Sequence, residues 1–421
     1  MLIDSLQIIE DRQTAHGILD GSFGTMPELS FQDWFCLRQE RRNFDIDPDQ
    51  DHEYFFGEKK WHEQIESRLQ MAEALGVPLR LIWWGQYGIG KTHRLRHTEY
   101  LIEKQGYPFR ACYLVATDIY ENTGFERLHY EMVNSLGRQQ LKSLVAGYLL
   151  KLRNEEGQMP TLEEICGNSA DVASALRSFG GWDNPQLELP AWRFLCGLRL
   201  KTSELELANV TKEELSTSLE YASVLRALAT IIETETGRQV IFLIDEGEHL
   251  TKITNRITVA RWQESLRAVL DIRNIGIVLT IGAERMETMP KVVLLPDIVR
   301  RFQRDNYVQM EALKLRAVKT FVRGVLSQWI DLKRVTRESA ERRLSEMADD
   351  FDPKLFPFTA SGFHTFCQWA VDDPRNAKPS EILDRLNTVT FAAYKQGLKL
   401  LDSNDLHKLG APRPTDKAGK R

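Results

Sequence analysis

The sequence predicts an α/β fold with a parallel sheet, a long helical insert and a helical region after the sheet. Two apolar segments, 79–84 and 239–244, have the length of buried strands, and each leads into a loop whose residues suit ligand chemistry. Other segments repeat apolar residues every three or four positions, which is typical of amphipathic helices. Strands that alternate with helices in this way favour a parallel sheet covered by helices.

Length and composition place the chain among ordinary globular proteins with several structural units. Its 421 residues are 42% hydrophobic and 27% charged, which excludes intrinsic disorder for most of the chain. The 55 basic and 60 acidic side chains give a net charge of −5, so no basic field covers the whole surface. A nucleic-acid partner would therefore need a local basic patch.

The chain has the features of a cytoplasmic protein without a membrane segment. Its five cysteines are far apart and form no CxxC pair, which favours unpaired thiols in a reducing compartment. Residues 1–20 lack a basic region followed by an apolar one, so no secretory signal is predicted. The longest apolar runs have about six residues, far fewer than the ~18 that span a bilayer.

Residues 1–52 are predicted to be an N-terminal segment that ends in an acidic linker. The aspartates of 45–51 alternate as in a calcium-binding loop. That loop requires Gly at its sixth position and Glu at its twelfth, where this chain has Gln50 and Phe56, and Pro48 stands inside it. The pattern therefore indicates a solvated linker and no metal.

A glycine-rich loop after the first predicted strand carries the strongest signal. A helix over 58–75 and a strand over 79–84 precede it, and a helix over 93–104 follows it. The loop matches GxxxxGK[ST], whose backbone N–H groups hold phosphate oxygens at a helix N-terminus. The predicted nucleotide-binding residues are Gly85, Gly88, Ile89, Gly90, Lys91, Thr92 and His93. Lys91 is expected to contact the β- and γ-phosphates of ATP, and Thr92 to bind Mg²⁺ through its hydroxyl.

The second half of the predicted site follows the strand at 239–244, which ends in Asp245 and Glu246. An aspartate in this position binds Mg²⁺, and an adjacent glutamate can act as the general base that activates water. The pair therefore favours hydrolysis over transfer of phosphate to a small molecule. Glu248 is interpreted as a carboxylate at the start of the next helix.

These two motifs resemble the AAA+ class of P-loop ATPases, and the resemblance covers about residues 53–390. It implies a sensor-1 residue near the end of the strand at 275–281, where Thr280 is the candidate and Ala283 the alternative. Arg301, just before Phe302, resembles the arginine finger that acts on a neighbouring subunit, with Arg300 as the second choice.

A helical insert and a helical lid complete the predicted organisation. Residues 140–235 are predicted to be mostly helical. Within them, 151–220 carry 12 acidic and 7 basic residues, and this negative balance argues against a phosphate-binding surface there. The amphipathic segments of 312–400 resemble the AAA+ lid, in which Arg375 has the context of a sensor-2 arginine. The predicted units are 1–52, the core 53–311, the lid 312–400 and a flexible basic tail 401–421.

Two further resemblances extend the functional expectation. Segment 54–58 resembles the entry segment of the origin-recognition initiator branch. The insert segments 191–197, 205–207 and 224–228, together with 88–93, resemble ATP-binding proteins of BREX antiphage systems. They imply a Mg²⁺-dependent ATPase that acts as an oligomer on or near DNA, with further protein partners and a defence role. The alternatives are a regulator of transposition or replication, or a nucleotide-gated switch with slow turnover. The tail and the Arg94/Arg96 pair are the candidate DNA contacts.

Overall fold

The computed structural model of the chain describes residues 29–57, 59–116, 119–120, 123–154, 159–167, 169–181, 185–342, 348–372 and 377–413. These residues form two compact units. The core unit comprises 46–321 and 374–381, and the helical unit comprises the described parts of 1–45, 322–373 and 382–421.

The core unit is built on five parallel strands. They are β1 (Arg80–Gly85), β2 (Phe109–Val115), β3 (Gln239–Asp245), β4 (Ile275–Gly282) and β5 (Tyr307–Gln309). Their order across the sheet is β2-β3-β4-β1-β5, and every pairing is parallel. The strands β1, β3 and β4 are apolar and buried along almost their whole length, as central strands with helices on both faces must be.

Helices make up most of the remaining described chain. Up to the end of the insert they are α1 (Phe31–Trp34), α2 (Lys59–Leu75), α3 (Lys91–Gln105), α4 (Glu126–Ser135), α5 (Arg138–Asn154), α6 (Leu162–Ile165), α7 (Ala170–Gly180), α8 (Pro185–Leu195), α9 (Thr202–Ala208) and α10 (Ser218–Thr236). After it they are α11 (Arg256–Leu270), α12 (Lys291–Leu294), α13 (Pro296–Phe302), α14 (Leu315–Trp329), α15 (Leu332–Arg342), α16 (Ala360–Asp372), α17 (Pro379–Lys395) and α18 (Ser403–Lys408). The parallel sheet, the helical insert and the helical C-terminal region are thus confirmed.

Within the core unit, the insert is connected to the sheet through α10. A capping box of Thr217 and Glu220 begins this helix, and Gly237 in the left-handed conformation ends it. Ten of its residues are buried, because it packs against other insert helices on one side and leads into β3 on the other. Helix α10 thus connects the packed helices of the insert to the amino-terminal end of β3.

The boundaries of the helical unit differ from the prediction. Described residues before Ile46 pack with the C-terminal helices: the Trp329 indole donates to the Asp45 carbonyl oxygen at 2.9 Å, and the Phe44 N–H donates to the Asn387 side chain at 2.9 Å. Asp51, expected in a solvated linker, is fully buried.

The predicted flexible tail is also corrected in part. Residues 401–413 are folded, because Leu401 and Leu406 are fully buried and α18 lies between 403 and 408. Residues 414–421 lie outside the described part of the chain.

Two further expectations can be compared with the structure. All five cysteines are buried and none of them forms a disulfide, as predicted. Among the described residues, no helix combines the length and the apolar character needed to cross a membrane.

Candidate functional site

The glycine-rich loop lies at the carboxyl end of β1 and leads into α3. Gly88 and Gly90 have φ angles of 77° and 89°, a region that side chains rarely adopt. Gly90 is the N-cap of α3, so the free N–H groups of the first helical turn follow it directly. This is the strand-loop-helix geometry that binds phosphate at a helix N-terminus.

Lys91 is buried inside this loop. Its ammonium group donates to the carbonyl oxygens of Gly85 at 3.2 Å and Gln86 at 3.1 Å. Burial lowers the pKa of Lys91, and the negative charges of Glu248 and Asp245 oppose that shift. The Lys91 ammonium therefore lies within the electrostatic reach of two carboxylates.

Asp245 ends β3 and is 3% exposed. Three donors hold its carboxylate: the Tyr113 hydroxyl reaches Oδ2 at 3.1 Å, the Glu246 N–H reaches Oδ1 at 2.9 Å, and the Thr280 hydroxyl also reaches Oδ1. Burial, together with the charge of Asp245, raises the pKa of Tyr113 well above its usual range. Tyr113 therefore stays protonated and continues to donate.

The donor set fits Mg²⁺. A carboxylate and a hydroxyl at the phosphate site are the oxygen ligands that this ion takes together with substrate phosphates and water. Asp245 and Thr92 would hold it. In the part of the chain that the structure describes, no cluster of three or more His, Cys, Asp or Glu side chains could form an all-protein metal cage.

Thr280 has a different neighbour from the one expected. The register between β1 and β4 pairs Trp83 with Thr280 and Gly85 with Gly282, so Thr280 lies two residues below the strand end. Its hydroxyl is fully buried and bonds to Asp245. The structure thus gives Thr280 the task of orienting Asp245, while the end of β4 carries the non-polar residues Gly282 and Ala283.

The two glutamates after β3 point to different places. Glu246 has a φ of 56°, and its half-exposed carboxylate is 3.3 Å from the His249 imidazole. The Glu248 carboxylate accepts a hydrogen bond from the Gly282 N–H at 2.7 Å. Burial and the charge of Glu248 raise the pKa of Tyr87, in the glycine-rich loop. The sequence analysis did not predict the contact of Glu248 with the end of β4, because residue spacing does not show in which direction the side chains of a turn point.

His93 is held by the segment before α2. Its Nε2 lies 2.8 Å from the Tyr54 carbonyl oxygen, and its ring stacks on Phe56 at 6.1 Å. Burial lowers the pKa of His93, which favours the neutral imidazole. The contacts therefore place His93 against residues 54–56, the segment that carries the initiator-type resemblance.

Arg94 and Arg96, the candidate DNA contacts of α3, both have partners within the chain. Arg96 pairs with Asp49 at 2.7 Å and Glu99 at 3.1 Å, and its guanidinium lies 3.4 Å from the centroid of the Tyr113 ring. Arg94 packs over Trp61 at 4.6 Å. Both cations are used inside the core unit.

The first turn of α17 lies on the glycine-rich loop. The Ser380 N–H donates to the Gly88 carbonyl oxygen at 3.2 Å, and a Cβ at Gly88 would lie 2.0 Å from the Ser380 hydroxyl. Gly88 therefore cannot carry a side chain while this contact exists. Arg375, the sensor-2 candidate, lies outside the described residues.

Arg301 lies far from the loop of its own chain. It forms a two-bond ion pair with Asp271, at 2.7 and 2.9 Å, and its side chain is 15% exposed. The Arg80 side chain, at the start of β1, donates to the Arg301 carbonyl oxygen at 3.2 Å. Arg301 thus belongs to the amino-terminal edge of the sheet, whereas its neighbour Arg300 is exposed.

The chain has distant similarity to several solved structures. The ORC2 protein of Aeropyrum pernix (ADPNP–ADP complexes) is 12% identical, with 91% of this chain and 75% of that chain covered and a TM-score of 0.44. For Cdc6p of Pyrobaculum aerophilum the identity is 11%, the coverage 83% and 65%, and the TM-score 0.42. For ORC1 of Aeropyrum pernix in complex with DNA the values are 12%, 82% and 63%, and 0.35.

This chain therefore spans just under two thirds of the Pyrobaculum and ORC1 chains. No family model and no curated protein matches it. Similarities this distant do not assign a nucleotide, a DNA site or an assembly, so a function has to follow from the residues of this chain.

The donor role of Thr280 can be tested through stability. Thr280→Val keeps the shape of the side chain but removes one of the donors to a buried carboxylate, which typically costs about 1–3 kcal/mol of unfolding free energy. Chemical denaturation should show this loss for Thr280→Val and little loss for Thr280→Ser, which keeps the hydroxyl. Equal stability of the valine variant and the wild type would contradict the role.

Proposed function

We propose that the chain is a Mg²⁺-dependent ATP hydrolase of the AAA+ type. The observation that carries the proposal is the arrangement at the carboxyl ends of three parallel strands: the Lys91 loop follows β1, Asp245 ends β3, and Glu248 bonds to Gly282 at the end of β4. A phosphate-binding loop, a buried lysine and an oriented aspartate are the parts that phosphoryl-transfer sites share.

Each part has a distinct task in this proposal. The N–H groups at the start of α3 and the Lys91 ammonium bind the β- and γ-phosphates of ATP. Thr92 and Asp245 hold Mg²⁺, which would neutralise charge on the phosphate oxygens. Tyr113 and Thr280 keep Asp245 in one orientation, so that little reorganisation is needed when the ion binds.

Lys91→Ala tests the nucleotide site. The variant should lose most of its affinity for ATP, because the phosphates lose their closest cation. Titration with a fluorescent ATP analogue measures this, and Lys104→Ala, on the last turn of the same helix, is the matched control that should bind like the wild type. Unchanged affinity in Lys91→Ala would refute the site.

The oligomer proposal concerns the arginines of α13. A finger must reach the nucleotide of a neighbouring subunit, and Arg301 is held by Asp271 of its own chain. We therefore put Arg300, the exposed second choice, ahead of Arg301 for this role.

Arg300→Ala should bind ATP normally and lose hydrolysis, by roughly 10³-fold or more if it acts as fingers do. Arg301→Ala should lower the unfolding temperature. Mixing Arg300→Ala with Lys91→Ala should restore some hydrolysis, because the second variant still supplies Arg300 to an intact neighbouring site. The reverse pattern, with Arg301→Ala inactive and Arg300→Ala active, would return the finger to Arg301.

The DNA proposal has support from α14. This 15-residue helix contains no Asp or Glu, and Arg316, Thr320, Arg323 and Ser327 form one exposed stripe along it. Lys314, just before the helix, is exposed as well. Within the described ranges these cations form no ion pair with an acid, although Arg323 lies 5.5 Å from the Phe363 ring centroid. A basic stripe of this kind suits a phosphate backbone.

Neutralising the stripe tests the DNA contact. Arg316→Gln with Arg323→Gln should weaken DNA binding and reduce the slope of log K against log salt by about 2, one for each lost phosphate contact. The control pair, Arg199→Gln with Lys212→Gln, removes cations already paired with Glu213 and Glu220 and should change little. Loss of RNA binding alone would replace DNA by RNA as the partner.

The proposed antiphage role rests on the resemblance of the insert and of 88–93 to BREX proteins. A nucleotide-gated switch is the second candidate for the same site. Steady release of phosphate by the wild-type chain supports the hydrolase, and nucleotide binding without turnover supports the switch.

A further inference from the structure

The carboxylate next to Asp245 in the sequence faces away from the phosphate loop. Glu246 pairs with His249 at 3.3 Å, and the His249 Nδ1 is 2.9 Å from the Lys252 ammonium. Lys252 in turn lies 5.6 Å from the ring centroid of Tyr120, in the segment after β2. Strand β2 lies on one side of β3, and β4 and β1 lie on the other. The Glu246, His249 and Lys252 side chains are therefore on the β2 side, away from the glycine-rich loop that follows β1.

Glu248 has the opposite placement. Its Oε2 accepts from the N–H of Gly282, the residue that pairs with Gly85 in the register of β4 with β1. Tyr87, in the glycine-rich loop, also lies beside Gly282, and burial together with the charge of Glu248 raises the pKa of Tyr87. Of the charges that oppose the lowered pKa of Lys91, that of Glu248 is larger than that of Asp245.

Two glycines make this placement possible. A Cβ at Gly247 would lie 2.6 Å from the Thr280 carbonyl oxygen, so only glycine lets the turn after β3 press against β4. A Cβ at Gly282 would lie 2.9 Å from the Glu248 Oε1 and 3.1 Å from Tyr87 Cζ. The backbone thus brings the carboxylate over the strand end and leaves space for it there.

We propose that Glu248, and not Glu246, is the general base of ATP hydrolysis. This inference rests on the proposed ATPase function. The Glu248 carboxylate takes a proton from water while the water oxygen forms a bond to the γ-phosphorus. The bond from that phosphorus to the β,γ-bridging oxygen breaks, ADP leaves with its electron pair, and the proton passes from Glu248 to the products.

The placement also explains how the base is kept in position. The end of β4 offers a backbone N–H and no polar side chain, because Gly282 and Ala283 stand there. Glu248 supplies the polar group at that point. Because Tyr87 also lies beside Gly282, the base is next to the loop expected to bind the phosphates, although the charge of Glu246 also acts on Tyr87.

The matched variants Glu248→Gln and Glu246→Gln test the proposal. Each keeps the shape of its side chain and can still accept a hydrogen bond. Glu248→Gln should bind the fluorescent ATP analogue within a few-fold of the wild type and lose phosphate release in single turnovers by about 10²–10⁴-fold, as expected for a lost general base. Glu246→Gln should stay within a few-fold of the wild type.

Two more variants separate catalysis from structure. Glu248→Asp keeps a carboxylate and should therefore hydrolyse ATP faster than Glu248→Gln. If the role of Glu248 were purely structural, Glu248→Gln and Glu248→Asp would both fold less stably than the wild type. Tyr87→Phe should lower turnover less than Glu248→Gln and leave ATP affinity nearly unchanged.

Loss of turnover in Glu246→Gln together with full turnover in Glu248→Gln would overturn the proposal and return the base to Glu246. Full turnover in both variants would overturn it as well. Failure of the wild type itself to release phosphate, with ATP still bound, would identify the failure as that of the proposed hydrolase.

Discussion

The buried charge of Asp245 is the constraint on which the site depends. A carboxylate that is 3% exposed is tolerated only where donors replace the water it has lost. Here the donors come from β2 through Tyr113, from β4 through Thr280 and from the backbone of Glu246. Two of them lie on the strands that flank β3. Asp245 can therefore be buried at the end of β3 only because β2 and β4 lie on either side of it. Its hydrogen bonds to Tyr113 and Thr280 in turn connect the three strands.

The same strand order separates the chemistry on the two sides of β3. The side towards β2 receives Glu246 with its histidine and lysine neighbours, and the side towards β4 and β1 receives Glu248 and the loop lysine. Gly247 is the residue that allows the chain to change sides, since the turn passes so close to the Thr280 carbonyl that no Cβ fits. One glycine thus decides which of two carboxylates lies at the end of β4, on the side of the glycine-rich loop.

Local patterns predicted most of the fold and part of the site. The strands that bear Gly85 and Asp245, and the helix after Lys91, are apolar or amphipathic over their own length, so periodicity alone locates them. The contacts of Thr280, Glu248 and Arg301 depend on residues 30 to 35 positions away, such as Asp245, Gly282 and Asp271. A local sequence pattern cannot predict such contacts, because the strand register and the side-chain directions in each turn are set only when the sheet assembles. The amphipathic pattern of the C-terminal region likewise ended too early, since Leu406 is buried although the segment around it is polar.

The acidic segment 45–51, which was predicted to be a linker, also contributes to the structure of the site. Asp49 pairs with Arg96, the Arg96 guanidinium stacks on Tyr113, and the Tyr113 hydroxyl donates to Asp245. Burial and the Asp245 charge raise the pKa of Tyr113, while the Arg96 charge acts in the opposite direction and is the smaller effect. The phenol therefore remains protonated, and its proton remains directed at the carboxylate. Asp49 in turn neutralises the arginine that would otherwise favour the phenolate. Asp49, although 68% exposed, thus helps to keep Asp245 supplied with a donor through a chain of three contacts.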